Sequence, residues 1–439
     1  MELTTADVAE ATGGEVFGRE TVVSGASIDT RTLRRGQLFV PIVDERDGHD
    51  FIGAAVHAGA AAYLTAGPIE AGVAIRVADT RAALLELGRL ARSRLAAQVV
   101  GVTGSVGKTT TKDLLAAVLG STFLTAASKA SFNNELGVPL TLLEAADDAS
   151  AAVIEMGARG VGHIAMLCEV ARPTIGVVTV VAGSHLESFG SLDGVATGKA
   201  ELVEALPAHG TAVLNADDHR VAAMAARTEA RVVTFGRGPA DVQATDVVLD
   251  DDLRTRFTVH TPWGDAPVHL GVRGEHQVMN ALAALAAGLV AEVPLAAAVD
   301  ALASGPVSAH RMHLSTAPGG ARILNDAYNA NPTSMRAALD ALAALPAARR
   351  IAVVGTMAEM GESGAASHAE IAHEAQDRGI RVIAVAEPAY GPEVEAVPDV
   401  AAAIEALADL GDGDAVLVKA SRVAGLEAVA AALLASPAS

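Results

Sequence analysis

Two spacings of apolar residues recur along the chain, one typical of strands and one typical of helices, and they divide it into three segments. The first covers residues 1–95. It contains short apolar runs such as QLFVPI, which predict strands, and a helical run, FIGAAVHAGA. It ends in the amphipathic stretch TRAALLELGRLARSRLAAQ, where apolar residues recur at helical spacing. The segment therefore predicts a small α/β unit.

The second segment, residues 96–312, opens with an apolar run, a glycine-containing turn and a helical pattern, and then alternates β-type runs with helical stretches. Its last part, TRFTVHTPWGDAPVHLGV, predicts a hairpin with Pro262 to Asp265 as the turn. The third segment, residues 313–439, alternates in the same way. Strands that alternate with helices predict a mainly parallel sheet with helices on its faces, so the predicted fold class is α/β with three domains.

Composition and charge exclude several classes of protein. Of the 439 residues, 51% are hydrophobic, which is enough to build several cores. The formal net charge of −20 argues against nucleic acid as a partner, because such a chain repels phosphate backbones. The single cysteine, Cys168, excludes an intramolecular disulfide. Neither a signal-peptide pattern nor an apolar run of membrane-spanning length is present, so we expect a cytoplasmic protein that binds no membrane.

The segment GVTGSVGKTT, residues 101–110, has the pattern of a phosphate-binding loop between a strand and a helix. Glycines let successive backbone N–H groups point at an anion, and the helix N-terminus adds partial positive charge. In such a loop Lys108 reaches the outer phosphates and the Thr109 hydroxyl binds Mg²⁺. The expected phosphate-binding residues are Gly104, Ser105, Gly107, Lys108, Thr109 and Thr110.

The upstream glycine of this loop, Gly101, lies one residue away from the strict motif spacing. A glycine-rich turn with a chance lysine is the alternative. The order of strand, turn, Lys-Thr-Thr and helix favours a nucleoside triphosphate, with ATP and Mg²⁺ as the expected cofactors.

Three further residues of the second segment are candidates for metal binding or for chemistry. Glu155 ends the strand pattern AAVIE, at the edge where parallel sheets bind ligands, so it is placed to hold Mg²⁺. The alternative is a solvated glutamate at a strand end. His185 follows TIGVVTVV by a short loop and reads equally as a loop residue. Lys199 lies on a predicted helix, where an ordinary surface lysine is the alternative.

Arg311 and Asp326 flank the junction between the second and third segments. Asp326 belongs to NDAYNANP, a turn-rich stretch that follows a strand pattern. A simple linker turn is one interpretation. A carboxylate and an arginine at a domain junction also suit a site that one domain completes for the other on closure.

Several segments together resemble the Mur ligase family of peptidoglycan synthesis, over nearly the whole chain. They are SFNNELGVPLTLL, VIEMGARGVGHI, VVAGSHLESFGSLDGVATGKAE, NADD, LNDAYNANPTSM, GTMAEMGESGAASH and VLVKASR, besides the phosphate loop. The phosphate loop is common to all members, including relatives that polyglutamylate folate. NNELGVP, NDAYNANP and MAEMG resemble the branch that adds D-alanyl-D-alanine rather than a single amino acid. The third segment departs from the family pattern at Thr356 and Ala420.

The resemblance implies roles that spacing alone leaves open. Glu155 and His185 become Mg²⁺ ligands beside Thr109, and Lys199 matches the lysine that the family converts to a carbamate. The expected catalytic groups are Lys108, Lys199, His185 and Glu155. Asn280 matches the asparagine that contacts adenine, and Arg311 and Asp326 match the pair that contacts the nucleotide. The expected substrate contacts are Thr30, Arg31, Asn133, Asn134, Tyr328, Asn329, Lys419 and Arg422.

The resemblance also implies an architecture and a reaction. Residues 1–95 would bind a UDP-linked substrate, residues 96–312 would form the central P-loop ATPase domain, and residues 313–439 would form a Rossmann-like domain for the incoming dipeptide. The expected reaction joins D-alanyl-D-alanine to UDP-N-acetylmuramoyl-tripeptide through an acyl phosphate, in a monomer. The alternatives are a sister Mur ligase adding one amino acid, a P-loop kinase or switch, and a silent nucleotide-binding relative.

Overall fold

The computed structural model describes residues 1–129, 132–183, 186–304 and 308–435. Across these ranges the strands form sheets of two, five, nine and six strands. The three larger sheets follow one another along the chain, and helices pack against them. The predicted α/β class is confirmed, and so is the division into three domains. Among the described residues, no helix is both long and apolar enough to cross a bilayer.

The N-terminal domain is built on the five-stranded sheet, in the order β2-β7-β6-β5-β4. Four of its strands are parallel and β2 is antiparallel. Asp79 caps the last helix by accepting hydrogen bonds from two backbone N–H groups. The elements are β1 Glu2–Thr4, α1 Thr5–Thr12, β2 Glu15–Phe17, β3 Val22–Ser24, β4 Ala26–Ser27, β5 Leu38–Phe39, a 3₁₀ turn Gly48–Phe51, α2 Ile52–His57, β6 Ala62–Thr65, β7 Ala74–Arg76 and α3 Thr80–Arg94.

The central domain is built on the nine-stranded sheet, in the order β16-β15-β14-β13-β12-β11-β8-β10-β9. Its strands are β8 Gln98–Thr103, β9 Thr125–Ala127, β10 Ala151–Glu155, β11 Ile175–Val178, β12 Thr211–Asn215, β13 Arg231–Gly236, β14 Val242–Leu249, β15 Arg254–Thr261 and β16 Gly264–Arg273. Its helices are α4 Lys108–Gly120, α5 Gly137–Glu144, α6 His163–Ala171, α7 Leu186–Phe189, α8 Leu192–Glu204, α9 His219–Ala223, α10 Gln277–Val290 and α11 Leu295–Ser304, with a 3₁₀ turn Met224–Arg227.

The order of the parallel strands in the central sheet places the ligand edge. Strand β8 lies between β10 and β11 and is parallel to both. The chain thus places β9 and β10 on one side of β8, and then adds β11 to β16 on the other side. Ligands of such sheets bind at the carboxyl ends of the strands where the order reverses. The predicted hairpin is confirmed as β15 and β16, which pair antiparallel.

The third domain is built on the six-stranded sheet, in the order β17-β18-β22-β19-β20-β21. Apart from the antiparallel β17, its strands are parallel, and core residues cover both faces. The elements are β17 His313–Thr316, β18 Arg322–Asn325, α12 Pro332–Ala344, β19 Arg349–Val354, α13 Gly364–Asp377, β20 Arg381–Val385, β21 Glu395–Val397, α14 Val400–Glu405, β22 Asp414–Lys419 and α15 Glu427–Leu434, with 3₁₀ turns Gly361–Ser363, Pro388–Tyr390 and Arg422–Ala424.

Two contacts lock neighbouring domains together. Helix α3 packs against α5 and α6, and Gly88 permits this approach, because a Cβ there would lie 2.8 Å from the ring of Pro139. On the other side of the central domain, the turn between β14 and β15 reaches the third domain. Its Leu253 is fully buried within the third-domain core and adopts a left-handed backbone, with φ of 61°. Arg322 donates to the Asp251 carbonyl at 2.7 Å beside it.

Candidate active site

The phosphate loop joins β8 to α4 and is fastened to the neighbouring strand. Gly104 and Gly107 have φ values of 150° and 86°. A Cβ on Gly104 would lie 1.8 Å from the Thr179 hydroxyl, and one on Gly107 would lie 2.2 Å from Oδ1 of Asn280. Ser105 holds the loop by donating from its hydroxyl to the Ala182 carbonyl at 2.8 Å. The glycines are therefore required by close backbone approach as well as by backbone conformation.

Lys108 and Thr109 open helix α4 at the edge of a cleft between the central and third domains. The Lys108 ammonium donates to the Gly104 carbonyl at 2.8 Å, so its charge lies over the loop. Burial lowers the pKa of Lys108, and the nearby Glu155 carboxylate acts in the opposite direction. The Thr109 hydroxyl accepts a hydrogen bond from Nη2 of Arg311 at 3.0 Å. Thr110 follows on the same helix and lines the cleft.

Glu155 ends β10 at the same edge of the sheet and is buried. Its Oε1 accepts a hydrogen bond from the Asn133 side-chain amide at 2.8 Å. Its Oε2 is buried and has no hydrogen-bond partner among the residues that the structure describes. A buried carboxylate oxygen without a partner is costly unless a cation binds it. The Thr109 hydroxyl and this oxygen line one cleft, and both are oxygen ligands of the kind that Mg²⁺ prefers, so the residues present fit the ion.

Lys199 lies on α8 and is buried on the wall of the cleft, not exposed on the surface. Burial lowers its pKa well below the ordinary lysine value, and the charge of Lys108 acts in the same direction. Its ammonium forms no hydrogen bond with another residue in the described part of the chain. An amine that loses its proton readily is the form that reacts with carbon dioxide, so the environment is compatible with a carbamate.

His185 lies outside the described residues. Among the residues that are described, no group of three or more His, Cys, Asp or Glu side chains could hold a metal ion. The structural support for a metal therefore rests on Thr109 and Glu155.

Asn280 lies on α10, beneath the phosphate loop, and its polar atoms have protein partners. Its amide donates to Oε1 of Gln277 at 2.7 Å, and its Oδ1 accepts from the Thr111 hydroxyl at 3.4 Å. Asn280 also lines the cleft. In the present arrangement the side chain supports Gly107.

Arg311 and Asp326 both line the cleft near the domain junction. The Arg311 guanidinium lies over the ring of Tyr328, 4.2 Å from its centroid, and its Nε is buried with no partner among the described residues. Asp326 accepts a hydrogen bond from the Met312 N–H at 3.1 Å. Arg311 thus reaches Thr109, at the start of α4. Asp326 is bonded to Met312 and Lys419, and contact of the nucleotide with Arg311 or Asp326 stays a prediction.

Lys419, for which an anion-holding role is predicted, is bonded to other groups of the protein in this structure. It is 2% exposed and donates to Oδ2 of Asp326 at 2.5 Å and to the Asn329 carbonyl at 2.8 Å. These bonds hold the turn that presents Tyr328 and Asn329 to the cleft. Arg422 lies 5.5 Å from the Tyr328 ring centroid and outside the described cleft lining.

Thr30 and Arg31, the contacts predicted in the N-terminal domain, lie between Asp29 and Thr32, which line a second cavity. Arg31 is 86% exposed and pairs with Asp29, and neither Thr30 nor Arg31 lines a cavity wall. The second cavity, of about 570 Å³, lies between this domain and the central one. Its wall includes Arg34, which pairs with Glu144 at 3.0 Å. Contact of the substrate with Thr30 and Arg31 stays a prediction.

The cleft wall also includes the predicted residue Asn134 and residues that were not predicted individually, among them Arg159, His163 and Glu359. Asn134 lines the cleft as expected, but its Oδ1 accepts from the Gly137 N–H at 3.0 Å and so caps α5. Arg159, on the loop after β10, and His163, the first residue of α6, also line the cleft. Glu359 does so from the third domain, with a left-handed backbone of φ 62°. Both regions carried a signal in the sequence, because Glu359 lies in the MAEMG motif and Arg159 and His163 lie in the segment VIEMGARGVGHI.

A phosphate loop, a carboxylate with an open oxygen and a third domain across a cleft define a ligase of the P-loop class. The model of the Mur ligase middle domain matches residues 102–288, and that of the Mur ligase glutamate ligase domain matches residues 310–422. The chain belongs to the Mur ligase family, as its motifs predicted, and it is a ligase.

Relatives that match over nearly the whole chain share one protein name, which is more specific than the family name. The UDP-N-acetylmuramoyl-tripeptide–D-alanyl-D-alanine ligase of Mycobacterium tuberculosis is 42% identical, over 99% of this chain and 98% of that protein. The enzyme of the same name from Escherichia coli is 36% identical over the same shares. A crystal structure of MurF from Acinetobacter baumannii superposes with a TM-score of 0.90 at 30% identity, over 99% of each chain. MurF ligase from Thermotoga maritima, solved in complex with ADP, gives 0.81 at 28% identity, over 93% of this chain and 96% of that one.

Proposed function

We propose that this chain joins D-alanyl-D-alanine to UDP-N-acetylmuramoyl-tripeptide, with ATP converted to ADP and phosphate. The observation that carries the proposal is the buried Oε2 of Glu155, which has no partner among the described residues and lies in one cleft with Lys108, Thr109 and Arg311. Its chemistry suits a metal-bound nucleotide, and the name shared by the full-length relatives gives the substrates.

In the first proposed step a terminal carboxylate oxygen of the tripeptide attacks the γ-phosphorus of ATP, and the bond to ADP breaks. Mg²⁺, held by Thr109 and Glu155 together with His185, would neutralise charge on the phosphates. The loop N–H groups and Lys108 would bind the same oxygens, and Arg311 would approach them from the domain junction. This arrangement supplies positioning and electrostatic stabilisation, which account for most catalysis of phosphoryl transfer.

In the second proposed step the dipeptide amine attacks the carbonyl carbon of the acyl phosphate. A tetrahedral intermediate forms, its bond to the phosphate oxygen breaks, and phosphate and a proton leave. Tyr328 and Asn329 line the third-domain wall where the dipeptide would lie. Closure of that wall would exclude water, which otherwise hydrolyses the acyl phosphate.

The remaining assignments follow from the same site. The second cavity, beside Arg34 and Lys129, is the proposed place of the UDP-linked end of the substrate. Lys199 is the proposed carbamate. The chain supplies both walls of the cleft, so we propose a monomer, acting in the cytoplasm where ATP is available. We propose domain limits at residues 95 and 312, and the absence of strands between Arg76 and Gln98 and, in the described residues, between Arg273 and His313 supports them.

The test measures phosphate release from ATP with UDP-N-acetylmuramoyl-tripeptide and Mg²⁺, offering D-alanyl-D-alanine, single amino acids or no acceptor. We expect a pentapeptide product and phosphate release only with the dipeptide. Product with a single amino acid would assign the chain to a sister ligase. ATP turnover that needs no acceptor would indicate a kinase or switch, and no turnover at all would indicate a silent relative.

A further inference from the structure

The second turn of α4 carries a buried ion pair that lies outside the described cleft wall. Nζ of Lys112 lies 2.5 Å from Oδ1 of Asp113, and their side chains are 4% and 13% exposed. Neighbouring residues on a helix point in different directions and seldom pair. Each of these two therefore reaches a different part of the site while it neutralises the other.

Lys112 reaches the side of the site that carries Glu155, the proposed metal ligand. Its ammonium donates to the Ser128 carbonyl at 2.9 Å. The Ser128 hydroxyl in turn accepts a hydrogen bond from the backbone N–H of Glu155 at 3.2 Å. Through Ser128, the helix that begins at the phosphate loop is tied to the strand end that presents Glu155.

Asp113 reaches the linker between the central and third domains. Its Oδ2 accepts hydrogen bonds from the Ser308 hydroxyl at 2.5 Å and from the Ser308 N–H at 3.1 Å. Three residues later, Arg311 donates to the Thr109 hydroxyl, one helical turn above Asp113. The linker is thus attached to α4 twice, once by Asp113 and once by the arginine.

The backbone around Arg311 needs such an attachment. His310 and Met312, on either side of it, have left-handed φ values of 59° and 50°. Residues other than glycine adopt this conformation only where the surroundings hold them in it. Ser308 is bound to Asp113 on one side, and the Met312 N–H is bound to Asp326 on the other. The segment is therefore fixed at both ends, with the guanidinium aimed at Thr109.

From this geometry we propose that Asp113 is a positioning residue for Arg311 and acts through Ser308. Lys112 compensates the charge of Asp113 and, through Ser128, aligns the strand end that carries Glu155. The inference rests on the proposed placement of the nucleotide phosphates between Lys108, Thr109 and Arg311. It adds a requirement that the linker be bound to the nucleotide-binding helix before the arginine can contact phosphate.

The test uses the full chain and measures MgADP affinity by calorimetry, which needs neither peptide substrate. Ser308→Ala removes the hydroxyl donor without leaving Lys112 unpaired, and it should weaken MgADP roughly tenfold, as loss of an orienting partner does. Ser308→Thr keeps the donor and should restore affinity. The matched control is Ser304→Ala, because the Ser304 hydroxyl donates within its own helix, to the Asp300 carbonyl.

A double-mutant cycle separates positioning from a purely structural role. In an Arg311→Ala background, Ser308→Ala should cause no further loss of MgADP affinity, because the serine acts through the arginine. Equal losses in both backgrounds, or no loss in the wild-type background, would overturn the inference alone. If Arg311→Ala leaves MgADP affinity unchanged, the proposed phosphate placement is itself wrong and the inference is overturned with it.

Discussion

The two walls of the cleft treat their charged side chains in opposite ways. On the central-domain wall, Glu155 keeps a buried oxygen without a partner in the described structure, and Lys199 is buried without a hydrogen bond to another described residue. On the third-domain wall, Asp326 and Lys419 satisfy each other and the adjoining backbone. The central wall thus leaves charged groups available to bind a charged ligand. The third-domain wall uses its charges to hold a shape that presents Tyr328 and Asn329.

Removing a charge from the central wall should have the largest effect on activity. Lys108→Met should lower the turnover number roughly 10³-fold, because it removes a cation that stabilises transferring phosphate. The measurement is ADP formation with all three substrates, beside a far-ultraviolet circular dichroism spectrum. The control is Arg227→Met, which removes a cation paired with Glu204 away from the cleft. A loss below tenfold would contradict the role given to Lys108.

Removing a charge from the third-domain wall should act on stability instead. Lys419→Met leaves the Asp326 carboxylate and the Asn329 carbonyl without their donor, and it should lower the free energy of unfolding by about 3 kcal/mol. Urea unfolding of wild type and variant measures the difference. Should stability be unchanged while the Michaelis constant for the dipeptide rises, Lys419 holds the ligand's anion and the contrast between the walls disappears.

The open oxygen of Glu155 gives a sharper test of the central wall. Glu155→Gln keeps the size and the bond to Asn133 but removes the charge, and it should lower activity roughly 10²-fold and raise the Mg²⁺ concentration required. Activity is titrated against Mg²⁺ at saturating ATP. Glu169→Gln is the matched control, because Glu169 is 69% exposed and pairs with Arg89. An unaltered Mg²⁺ dependence would exclude Glu155 as a metal ligand.

The smallest expected effect concerns Lys199 and pH. Burial lowers the pKa of this lysine, so the folded protein binds its proton less tightly than the unfolded chain does. Stability relative to Lys199→Met should therefore rise with pH from the lowered pKa up to the ordinary value of 10.5. At pH values above this lowered pKa, where the amine is neutral, bicarbonate should raise wild-type activity severalfold.

The carbamate itself has a direct signature. Protein incubated with ¹³C-bicarbonate should give a carbamate resonance that is absent from Lys199→Met. If activity is insensitive to bicarbonate and no resonance forms, Lys199 acts as an amine and the carbamate proposal fails.

The parts of the fold that sequence predicted are those whose signals are local. The phosphate loop is contiguous with its strand and helix, so β8, the turn and α4 could all be predicted from one run of residues. The β15–β16 hairpin was predictable for the same reason. Glu155 could be placed at the ligand edge because it ends a strand pattern.

The assignments that sequence could not make depend on distant partners. The role of Lys419 is set by Asp326, 93 residues earlier in the chain, and that of Asp113 by Ser308, 195 residues later. No local pattern reports whether a charged side chain faces a ligand or another part of the protein.

The insertion of Leu253 into the third-domain core has a consequence for how the protein can be divided. A cut at the linker separates the third domain in sequence but removes a side chain from the middle of its core. The isolated C-terminal fragment would expose the apolar surface that Leu253 covers, and the remaining fragment would expose Leu253 itself. A segment that is separate in sequence is therefore not a separate folding unit here. A chimaera that exchanges the third domain between relatives must carry the β14–β15 turn with it.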